Sequence, residues 1–244
     1  MVPLSDICAV IPTYGNSRTV ADVVRRTLAQ GIGVIVVDDG SEIPVEGLLE
    51  GLPALVVRHQ ENQGKGRALR TGLTAALNGG YRFAVTLDAD GQHSPEDIPL
   101  LLASAGERTL VVGSRRLDAE GMPAGNSFAN RFSNFWFALQ TLRRLPDTQT
   151  GFRLYPLEDL PPLWILTSRY EAELTLLVFS AWKGLRLVPV PVQVSYPEDR
   201  VTHFRPFWDF FRISVLNTVL CLLALIYGYP RMLLTRLLRP SACP

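Results

Sequence analysis

Short apolar runs alternate with helical patterns along the first half of this 244-residue chain, and this alternation restricts the fold more than any other feature. The runs of strand length are Ile7–Tyr14, Gly33–Gly40, Ala54–His59, Phe83–Asp90 and Thr109–Arg116. Helical spacing of apolar residues is found at Thr19–Gln30, Gly66–Asn78 and Pro95–Ala105. Continuous apolar strands joined through helices form mostly parallel sheets with helices on both faces. The sequence therefore predicts an α/β fold with a Rossmann-like, mostly parallel sheet.

The second half is less regular. Helices are predicted at Asn126–Arg144 and Glu171–Lys183. The first of them has an aromatic stripe that is typical of a core, formed by Phe128, Phe132, Phe135 and Trp136. Leu185–Val194 alternates apolar residues with prolines, and proline within a strand predicts an edge position, because it cannot donate to a neighbouring strand.

Near the C-terminus, Ile213–Tyr229 carries no charged residue, and arginines and aromatic residues flank it. Such flanks suit a membrane interface, although an ordinary buried core helix is the alternative. The stretch is slightly shorter than a spanning helix needs. We expect a globular domain over residues 1–205 and membrane-associated helices over residues 206–244, lying in or dipping into the cytoplasmic leaflet.

The bulk composition excludes several classes of protein. The net charge of +1 lacks the basic excess of a nucleic-acid binder. Three cysteines, Cys8, Cys221 and Cys243, are too few and too widely spaced for a disulfide framework or a zinc cluster. The N-terminus runs directly into a strand pattern, so we expect no signal peptide.

Polar residues stand where four of the predicted strands end. They are Pro12–Tyr14, Asp38–Ser41, Asp88–Asp90 and Gly113–Arg115. In sheets of this type, ligands bind at the carboxyl ends of the strands. We therefore expect these residues to share one edge of the sheet and to form the functional site.

Asp88 and Asp90 are separated by a single alanine at the end of a buried strand. Two neighbouring carboxylates repel each other unless a cation lies between them. Carboxylate oxygens favour hard cations such as Mg²⁺ or Mn²⁺, which commonly also bind substrate phosphates. The pair therefore predicts a divalent metal site, although Asp-X-Asp alone also occurs by chance.

The chain has neither a dinucleotide-binding glycine turn nor a Walker loop. Lys65 and the amides around Gly66 begin a predicted helix and could face a phosphate there. The alternative is a solvated loop lysine.

Seven motifs occur in a fixed order: IPTYGNSRTV, VVDDGS, ENQGKGRALRTG, DADGQHSPEDI, VGSR, NR and DTQTGFR. Together they resemble the family 2 glycosyltransferases of the GT-A fold, and most of all the dolichyl- or polyprenyl-phosphate mannose and glucose synthases. The resemblance extends from about Ile7 to Arg205. It implies a catalytic domain over residues 1–205 that uses a GDP- or UDP-hexose.

The resemblance also implies roles for individual residues. Contacts to the base and ribose are implied for Pro12, Tyr14, Val37 and Asp39. Contacts to the ribose, diphosphate and metal are implied for Asp88, Ala89 and Asp90, with Gln92 as a further metal ligand. Contacts at the phosphate end are implied for Arg115, Arg131 and Arg205.

The acceptor stays open between two chemistries. A polyprenyl phosphate is already anionic at neutral pH, since its second pKa is about 6, and its candidate partners are Arg115, Arg131, Arg153 and Arg200. A hydroxyl acceptor needs a general base, for which Asp147 is the first candidate and Glu173 the second. A turn residue and an ion-pair partner are their respective structural alternatives. Thr150 is expected to shape the acceptor side.

Two rival functions remain. A nucleotide-sugar-binding scaffold without turnover is disfavoured by the complete acidic pair and the two arginines, Arg115 and Arg131. A sugar nucleotidyltransferase would carry a glycine-rich basic loop after the first strand, and the loop PTYGNSRT does not fit that pattern.

Overall fold

A computed structural model describes residues 2–115, 124–169, 171–195 and 206–238. For residues 124–128, 206–212, 236 and 238 it describes the backbone alone. Two of the residues singled out above, Arg200 and Arg205, lie outside the described residues.

The described chain contains a seven-stranded sheet with the order β3-β2-β1-β4-β6-β5-β7. The strands are β1 (Ile7–Thr13), β2 (Gly33–Asp38), β3 (Leu55–Arg58), β4 (Phe83–Thr86), β5 (Thr109–Ser114), β6 (Arg153–Pro156) and β7 (Arg186–Pro191). Neighbouring strands are parallel except at β6, which is antiparallel to both β4 and β5. The predicted α/β fold with a mostly parallel sheet is therefore confirmed, and so is the edge position of the proline-containing β7.

The described chain has eight α-helices: five lie at the predicted helical segments with slightly different bounds, two form the predicted C-terminal helices, and one, Val45–Leu48, was not predicted. They are α1 (Val20–Leu28), α2 (Val45–Leu48), α3 (Lys65–Asn78), α4 (Ile98–Leu102), α5 (Ala124–Thr141), α6 (Glu171–Trp182), α7 (Pro206–Leu223) and α8 (Tyr229–Leu238). One turn of π-helix, Ala224–Gly228, joins α7 to α8. A 3₁₀ turn, Pro95–Asp97, precedes α4 and has proline at its first position, where the missing N–H is least costly.

Helices cover both faces of the sheet, and the period-two alternation of β1 shows how. Cys8 and Val10 point towards a core that includes residues of α3 and α6. Ile7, Ala9 and Ile11 point to the opposite face, towards a core that includes residues of α1 and α4. Because both faces are buried, the strand ends are the part of the sheet that is left to bind a ligand.

The C-terminal helices pack against the α3 and α6 side of the molecule. Their inward face includes Leu220, Ala224 and Met232, which belong to the same buried cluster as Trp182 of α6. Gly228 lies so close to Trp182 that a Cβ atom there would be 2.5 Å from the indole ring. The tail is therefore docked on the α/β unit along one of its faces.

The outward face of the tail is apolar. Ile213–Thr235 is the one described helical stretch that is long and apolar enough to cross a membrane, with a mean hydropathy of 1.7. Only 22% of its most apolar window is buried in the protein. Most of this surface therefore faces away from the core.

The aromatic stripe of α5 is not simply core. The Phe135 ring is largely exposed, although its edge packs against Trp136 at a centroid distance of 5.6 Å. The expectation of a buried stripe is wrong at this residue because Phe135 lies on the outer face of α5, opposite the buried Phe137.

Candidate active site

Polar residues from five strands meet at one edge of the sheet. The ends of β1, β2, β4 and β5 all point to this edge, because these strands run in the same direction. The antiparallel β6 begins at the same edge, and its first residue, Arg153, lies opposite both Thr86 and Val112. The loop before β6, residues 147–152, is thereby placed beside Asp88.

Lys65 bridges two carboxylates at this edge. Its ammonium nitrogen lies 2.8 Å from Asp88 and 3.2 Å from Glu173. Burial alone would lower the pKa of Lys65, but the two carboxylates outweigh burial and raise it. Burial likewise would raise the pKa of Asp88, and Lys65 is the main reason that this pKa is instead held below its usual value. The lysine is therefore charged and neutralises Asp88, which excludes the alternative of a solvated loop lysine.

The amide of Gly66 does not point to an open phosphate site. It donates to the carbonyl of Ser168 at 3.0 Å. A Cβ atom at Gly66 would also lie 2.1 Å from the carbonyl oxygen of Thr167, which shows how closely this loop covers the start of α3. The expectation of a phosphate at this amide is wrong, while Lys65 reaches the site through its side chain.

Asp90 differs electrostatically from Asp88. Burial, and then the neighbouring negative charge of Asp88, raise the pKa of Asp90. Its two oxygens accept hydrogen bonds from the amide and the side chain of Gln92, at 2.9 and 2.8 Å. A divalent cation would relieve the repulsion that raises this pKa, and the oxygen donors present suit Mg²⁺ or Mn²⁺.

The described residues offer few protein ligands for a metal ion at this edge. Within the described residues, no three His, Cys, Asp or Glu side chains are grouped closely enough to hold a metal ion. Asp88, Asp90 and Gln92 would thus supply only part of a coordination shell. Mg²⁺ in particular fits this pattern, because it usually keeps waters and binds substrate phosphates.

The loop that carries these residues is fixed from both sides. Thr19, before α1, donates its hydroxyl to the carbonyl of Ala89 at 2.5 Å. The chain after β7 adds a bridge between His93 and Val194 and a hydrogen bond from the Ser195 amide to the Gln92 carbonyl at 3.0 Å. Ala89 itself is buried, so its side chain has no route to a nucleotide.

His93 is a buried, neutral part of this loop. Burial lowers its pKa to about 4. Its ring stacks at a tilt on Phe152, with centroids 5.3 Å apart, and one ring nitrogen lies 3.5 Å from the Thr150 hydroxyl. Thr150 is almost completely buried and also accepts from the Phe152 amide. Thr150 therefore holds this loop beside His93 and Phe152, and its expected place on the acceptor side stays a prediction.

Asp147 is a buried carboxylate that is paired with Arg115 and Asn130 in this structure. It is fully buried and accepts from the Arg115 side chain at 2.6 and 3.0 Å, from Asn130 at 2.7 Å, and from the amides of Gln149 and Thr150. Burial would raise the pKa of Asp147, but the Arg115 hydrogen bonds outweigh burial and lower it. These donors all stabilise the charged form of Asp147, and its assignment as a general base stays a prediction. Asp147 holds Arg115 at the site.

Arg153 is also structural. It is fully buried and donates to the backbone carbonyls of Glu173 at 2.7 Å and Thr148 at 2.9 Å. The guanidinium ties the loop before β6 to the start of α6, and its expected contact with the acceptor stays a prediction. Arg131, in contrast, is exposed on the outer face of α5.

Asp39 is occupied inside the protein. One carboxylate oxygen lies 2.7 Å from a ring nitrogen of His59 and accepts from the Gln63 amide, and the other accepts from the Gly64 amide at 2.8 Å. His59 continues to the Thr71 hydroxyl at 2.9 Å. The carboxylate implied to hold a nucleotide instead orders the loop before α3 in this conformation.

The remaining residues implied to contact the nucleotide differ in their exposure. Pro12 and Val37 lie side by side in the β1–β2 register and are buried, and Val37 belongs to the core cluster beneath α3. Because the Val37 side chain is in the core, any nucleotide contact at that position has to use the backbone. Tyr14 follows β1 directly and is exposed, which leaves its ring accessible at the edge of the sheet.

Sequence reasoning found the residues at the strand ends but missed several of their partners. Asn130, which binds Asp147, belongs to the NR motif but was given no role, and His59, which binds Asp39, was not singled out. The partners of Asp147 and Asp39 lie 17 and 20 residues away along the chain. No local spacing rule relates such positions, so the pairs follow from the fold alone.

The sequence of the chain is similar to those of known glycosyltransferases. The sequence profile of Glycosyl transferase family 2 matches residues 8–158, which is more than half of the chain. The chain is 28% identical over 217 residues to the UDP-N-acetylglucosamine–dolichyl-phosphate N-acetylglucosaminyltransferase of Methanococcus voltae, covering 79% of this chain and 86% of that protein. It is 28% identical over 200 residues to the undecaprenyl-phosphate mannosyltransferase of Micrococcus luteus, covering 76% of this chain and 82% of that protein.

Solved structures share the fold at lower identity. Glucosyl-3-phosphoglycerate synthase from Mycobacterium tuberculosis, crystallised with Mn²⁺, UDP-glucose and phosphoglyceric acid, superposes with a TM-score of 0.64 at 21% identity, covering 89% of this chain and 79% of that one. Mannosyl-3-phosphoglycerate synthase from Rubrobacter xylanophilus gives a TM-score of 0.61 at 17% identity, with coverages of 98% and 78%. These matches confirm the GT-A-like fold. Together with the profile match, they show that the chain belongs to the family 2 glycosyltransferases.

Proposed function

We propose that this protein transfers a hexose from a GDP- or UDP-sugar to the phosphate of a polyprenyl phosphate, with inversion at the anomeric carbon. Residues 1–205 would form the catalytic unit, and residues 206–244 would hold it at the cytoplasmic face of a membrane. The names of the relatives from Methanococcus voltae and Micrococcus luteus support a lipid-phosphate acceptor. The exposed apolar face of the tail supports a membrane location.

One observation favours a phosphate over a hydroxyl acceptor. Both carboxylates that could serve as a general base are already engaged: Asp147 by Arg115 and Asn130, and Glu173 by Lys65. A hydroxyl nucleophile needs a base near its proton. A phosphate monoester is already anionic at neutral pH, because its second pKa is about 6, so it needs no base. The site is therefore suited to an acceptor that arrives deprotonated.

A divalent cation fits the acidic edge of this site. Asp88, Asp90 and Gln92 would hold it, because their oxygens lie together at the sheet edge; burial, and then the charge of Asp88, raise the pKa of Asp90, and a bound cation would favour its charged form. When bound, Mg²⁺ or Mn²⁺ would supply charge neutralisation at the diphosphate of the donor. The Mn²⁺ in the Mycobacterium tuberculosis glucosyl-3-phosphoglycerate synthase complex agrees with such a role.

The transfer is a single displacement. An oxygen of the lipid phosphate forms a bond to the anomeric carbon while the bond from that carbon to the nucleoside diphosphate breaks, and the electron pair leaves with the diphosphate. Charge grows on the leaving group, and arginines that are fixed in advance stabilise it. Arg115, held by Asp147, is the described residue best placed for this task. We assign Arg131 and Arg205 to the same phosphate-rich region, and Arg200 to the acceptor.

The nucleoside end of the donor belongs at the ends of β1 and β2. Tyr14 is accessible there, and Pro12 and Val37 lie side by side in the β1–β2 register next to it. Asp39 would then act by ordering the adjoining loop. Asp88, kept charged by Lys65, can accept hydrogen bonds from ribose hydroxyls.

The test is a transfer assay with membranes that contain the protein, Mg²⁺ or Mn²⁺, and a panel of labelled nucleotide sugars. Label that enters the organic extract and is released by mild acid as free sugar is the expected result, because a glycosyl phosphate is acid-labile. Asp90→Ala should abolish this transfer without unfolding the protein. Acid-stable lipid label would establish a hydroxyl acceptor, and absence of label with every donor would favour the non-catalytic scaffold.

A further inference from the structure

The outer face of α5 carries a stripe that is charged at one end and apolar along the rest. Arg131, Phe135 and Leu139 are spaced by four residues, so they lie along one face of α5, and Leu142 follows the end of the helix directly. All four are exposed, and the three apolar side chains have exposed fractions of 61%, 45% and 66%. We call these four residues the α5 stripe.

The charged end of the stripe adjoins the candidate active site. Asn130, the residue before Arg131, donates to Asp147, and Asp147 holds Arg115. One turn later, Asn134 donates to the carbonyl of Pro146. The inner face of the first half of α5 thus positions the site, and Arg131 begins the stripe directly beside it.

The apolar end of the stripe adjoins the docked tail. The hydroxyl of Tyr229, the first residue of α8, donates to the carbonyl of Leu139. Gln140 donates to Asn217 of α7 at 2.9 Å. The stripe therefore extends from the active-site edge to the helices whose outward face we assign to the membrane.

Leu142 has an unusual backbone for its residue type. It follows the last residue of α5 with φ of 55°, in the left-handed region. Glycine adopts this conformation without steric cost, whereas a residue with a Cβ atom is strained there. Because two thirds of the leucine side chain is exposed, packing within the fold does not account for a leucine here. A ligand that contacts its side chain would account for it.

We propose that the α5 stripe binds the prenyl chain of the acceptor, with the phosphate beside Arg131 and the first isoprene units along Phe135, Leu139 and Leu142. The proposal rests on the function proposed above. A positive charge at one end and apolar side chains along the rest fit an amphiphile with an anionic head and an apolar chain. The stripe is about 16 Å long at 1.5 Å per residue, which a chain of a few isoprene units covers. Its continuity with both the site and the tail favours this occupant over a second protein.

The experiment compares soluble acceptors of different chain length in detergent solution. Dimethylallyl phosphate has the head and one isoprene unit, whereas farnesyl phosphate is long enough to reach along the stripe. For the wild type, we expect farnesyl phosphate to bind more tightly and to have the lower KM. Phe135→Gln should raise the KM and the Kd for farnesyl phosphate about tenfold, which corresponds to ~1.4 kcal/mol. Both constants for dimethylallyl phosphate should stay within about twofold.

Two further variants sharpen the test. Leu142→Gly removes the penalised leucine, so we expect a higher thermal midpoint together with weaker farnesyl phosphate binding. A substitution that only damaged the fold would lower the thermal midpoint as well as the affinity for farnesyl phosphate. Leu100→Gln on α4 is the matched control, because Leu100 is an exposed leucine away from the stripe. This variant should leave the KM and the Kd unchanged for both acceptors.

Three results would overturn the proposal. The first is that Phe135→Gln changes the KM and the Kd equally for both acceptors, or changes them for neither. The second is loss of vesicle sedimentation in Phe135→Gln with its chain-length dependence intact, which would make the stripe a bilayer contact. The third is a change of oligomeric state in that variant, which would make it a protein contact. Because binding is measured as well as turnover, failure of transfer with every acceptor would contradict the proposed function alone, and the chain-length dependence of Kd would still decide the stripe.

Discussion

At the scale of single residues, the contact between Asp147 and Arg115 supports the site most directly. Asp147→Asn removes the charge that pairs with a half-buried arginine and keeps one oxygen acceptor. Breaking one partner of a buried ion pair costs about 3–5 kcal/mol, and the retained oxygen should reduce this to about 2–3 kcal/mol. Chemical denaturation at pH 7 measures the loss. Transfer should also fall, because Arg115 is no longer held in place; an unchanged unfolding free energy would contradict the role assigned to Asp147.

The lowered pKa of Asp147 adds a pH dependence with a defined sign. A carboxylate with a depressed folded-state pKa contributes stability that is fully present above its unfolded pKa of about 3.9 and is lost as the pH falls through the folded value. The difference in unfolding free energy between wild type and Asp147→Asn should therefore be the same at about pH 7 and pH 5 and smaller at about pH 3. A difference that persists undiminished in acid would rule out this explanation.

Gly151 lies against the charged group formed by Lys65, Asp88 and Glu173. A Cβ atom at this position would be 2.9 Å from Glu173 and 3.2 Å from both Asp88 and Lys65. Gly151→Ala should displace these side-chain ends and reduce transfer by about 10- to 100-fold, since small misplacements at a site have effects of this size. Stability should change by less than about 1 kcal/mol, because flexible side-chain ends can move.

Gly47→Ala is the matched control for this variant, because a Cβ atom at Gly47 meets nothing within 4 Å. Activity should stay unchanged there. Equal activity in Gly151→Ala and Gly47→Ala would show that the position of the charged group is unimportant.

Residue chemistry was predictable in part from the sequence. Asp88, Asp90 and Arg115 stand at strand ends, and their place at the edge of the sheet follows from the parallel topology. The hydrogen bonding that keeps Asp147 charged was not predictable, because it depends on Asn130 and on the geometry of the loop before β6. The same holds for Arg153, whose burial results from an antiparallel strand that the sequence pattern did not reveal.

At the scale of elements, a buried polar pair fixes α7 on α5. Gln140 and Asn217 are both buried and share a hydrogen bond of 2.9 Å, while Gln140 Oε1 and Asn217 Nδ2 have no partner among the described residues. Removing one partner leaves a buried amide unpaired and should cost about 1–3 kcal/mol. Replacing both with leucine should be nearly neutral, because no polar group is then stranded.

Thermal and chemical denaturation of Gln140→Leu, Asn217→Leu and the double variant test this pair. The expected coupling energy is at least ~1 kcal/mol. If the two single effects simply add, the pair does not act as a unit and the docking of α7 depends on apolar packing alone.

Elements with a clear apolar pattern were predicted well, and β6 was not. The strands β1, β2 and β5 have unbroken apolar runs, and α1 and α3 have clear helical spacing, so local pattern and tertiary structure agree. β6 is as short as β3 and β4, which were predicted, but Arg153–Pro156 has no unbroken apolar run. Its identity as a strand comes from pairing with β4 and β5 on either side.

At the scale of the whole molecule, the tail is part of the fold and also presents an apolar surface. Leu220, Ala224 and Met232 are buried in the common core, whereas Leu222, Leu225 and Ile226 point away from it. Deleting the tail would therefore expose Trp182 as well as remove the membrane-facing surface. A truncated protein would confuse loss of folding with loss of membrane binding.

Substitutions on the outer face separate the two effects. Leu222→Gln, Leu225→Gln and Ile226→Gln in one variant should release the protein from anionic vesicles, because each large apolar side chain contributes about 1.5–3 kcal/mol when it leaves water. The unfolding free energy should change little, since these side chains are exposed in the docked fold. Vesicle sedimentation measures release, and Leu100→Gln is the control for an exposed leucine elsewhere. If the triple variant sediments as the wild type does, the outer face of the tail is not the membrane contact, and the proposal that the tail holds the catalytic unit at a membrane loses its support.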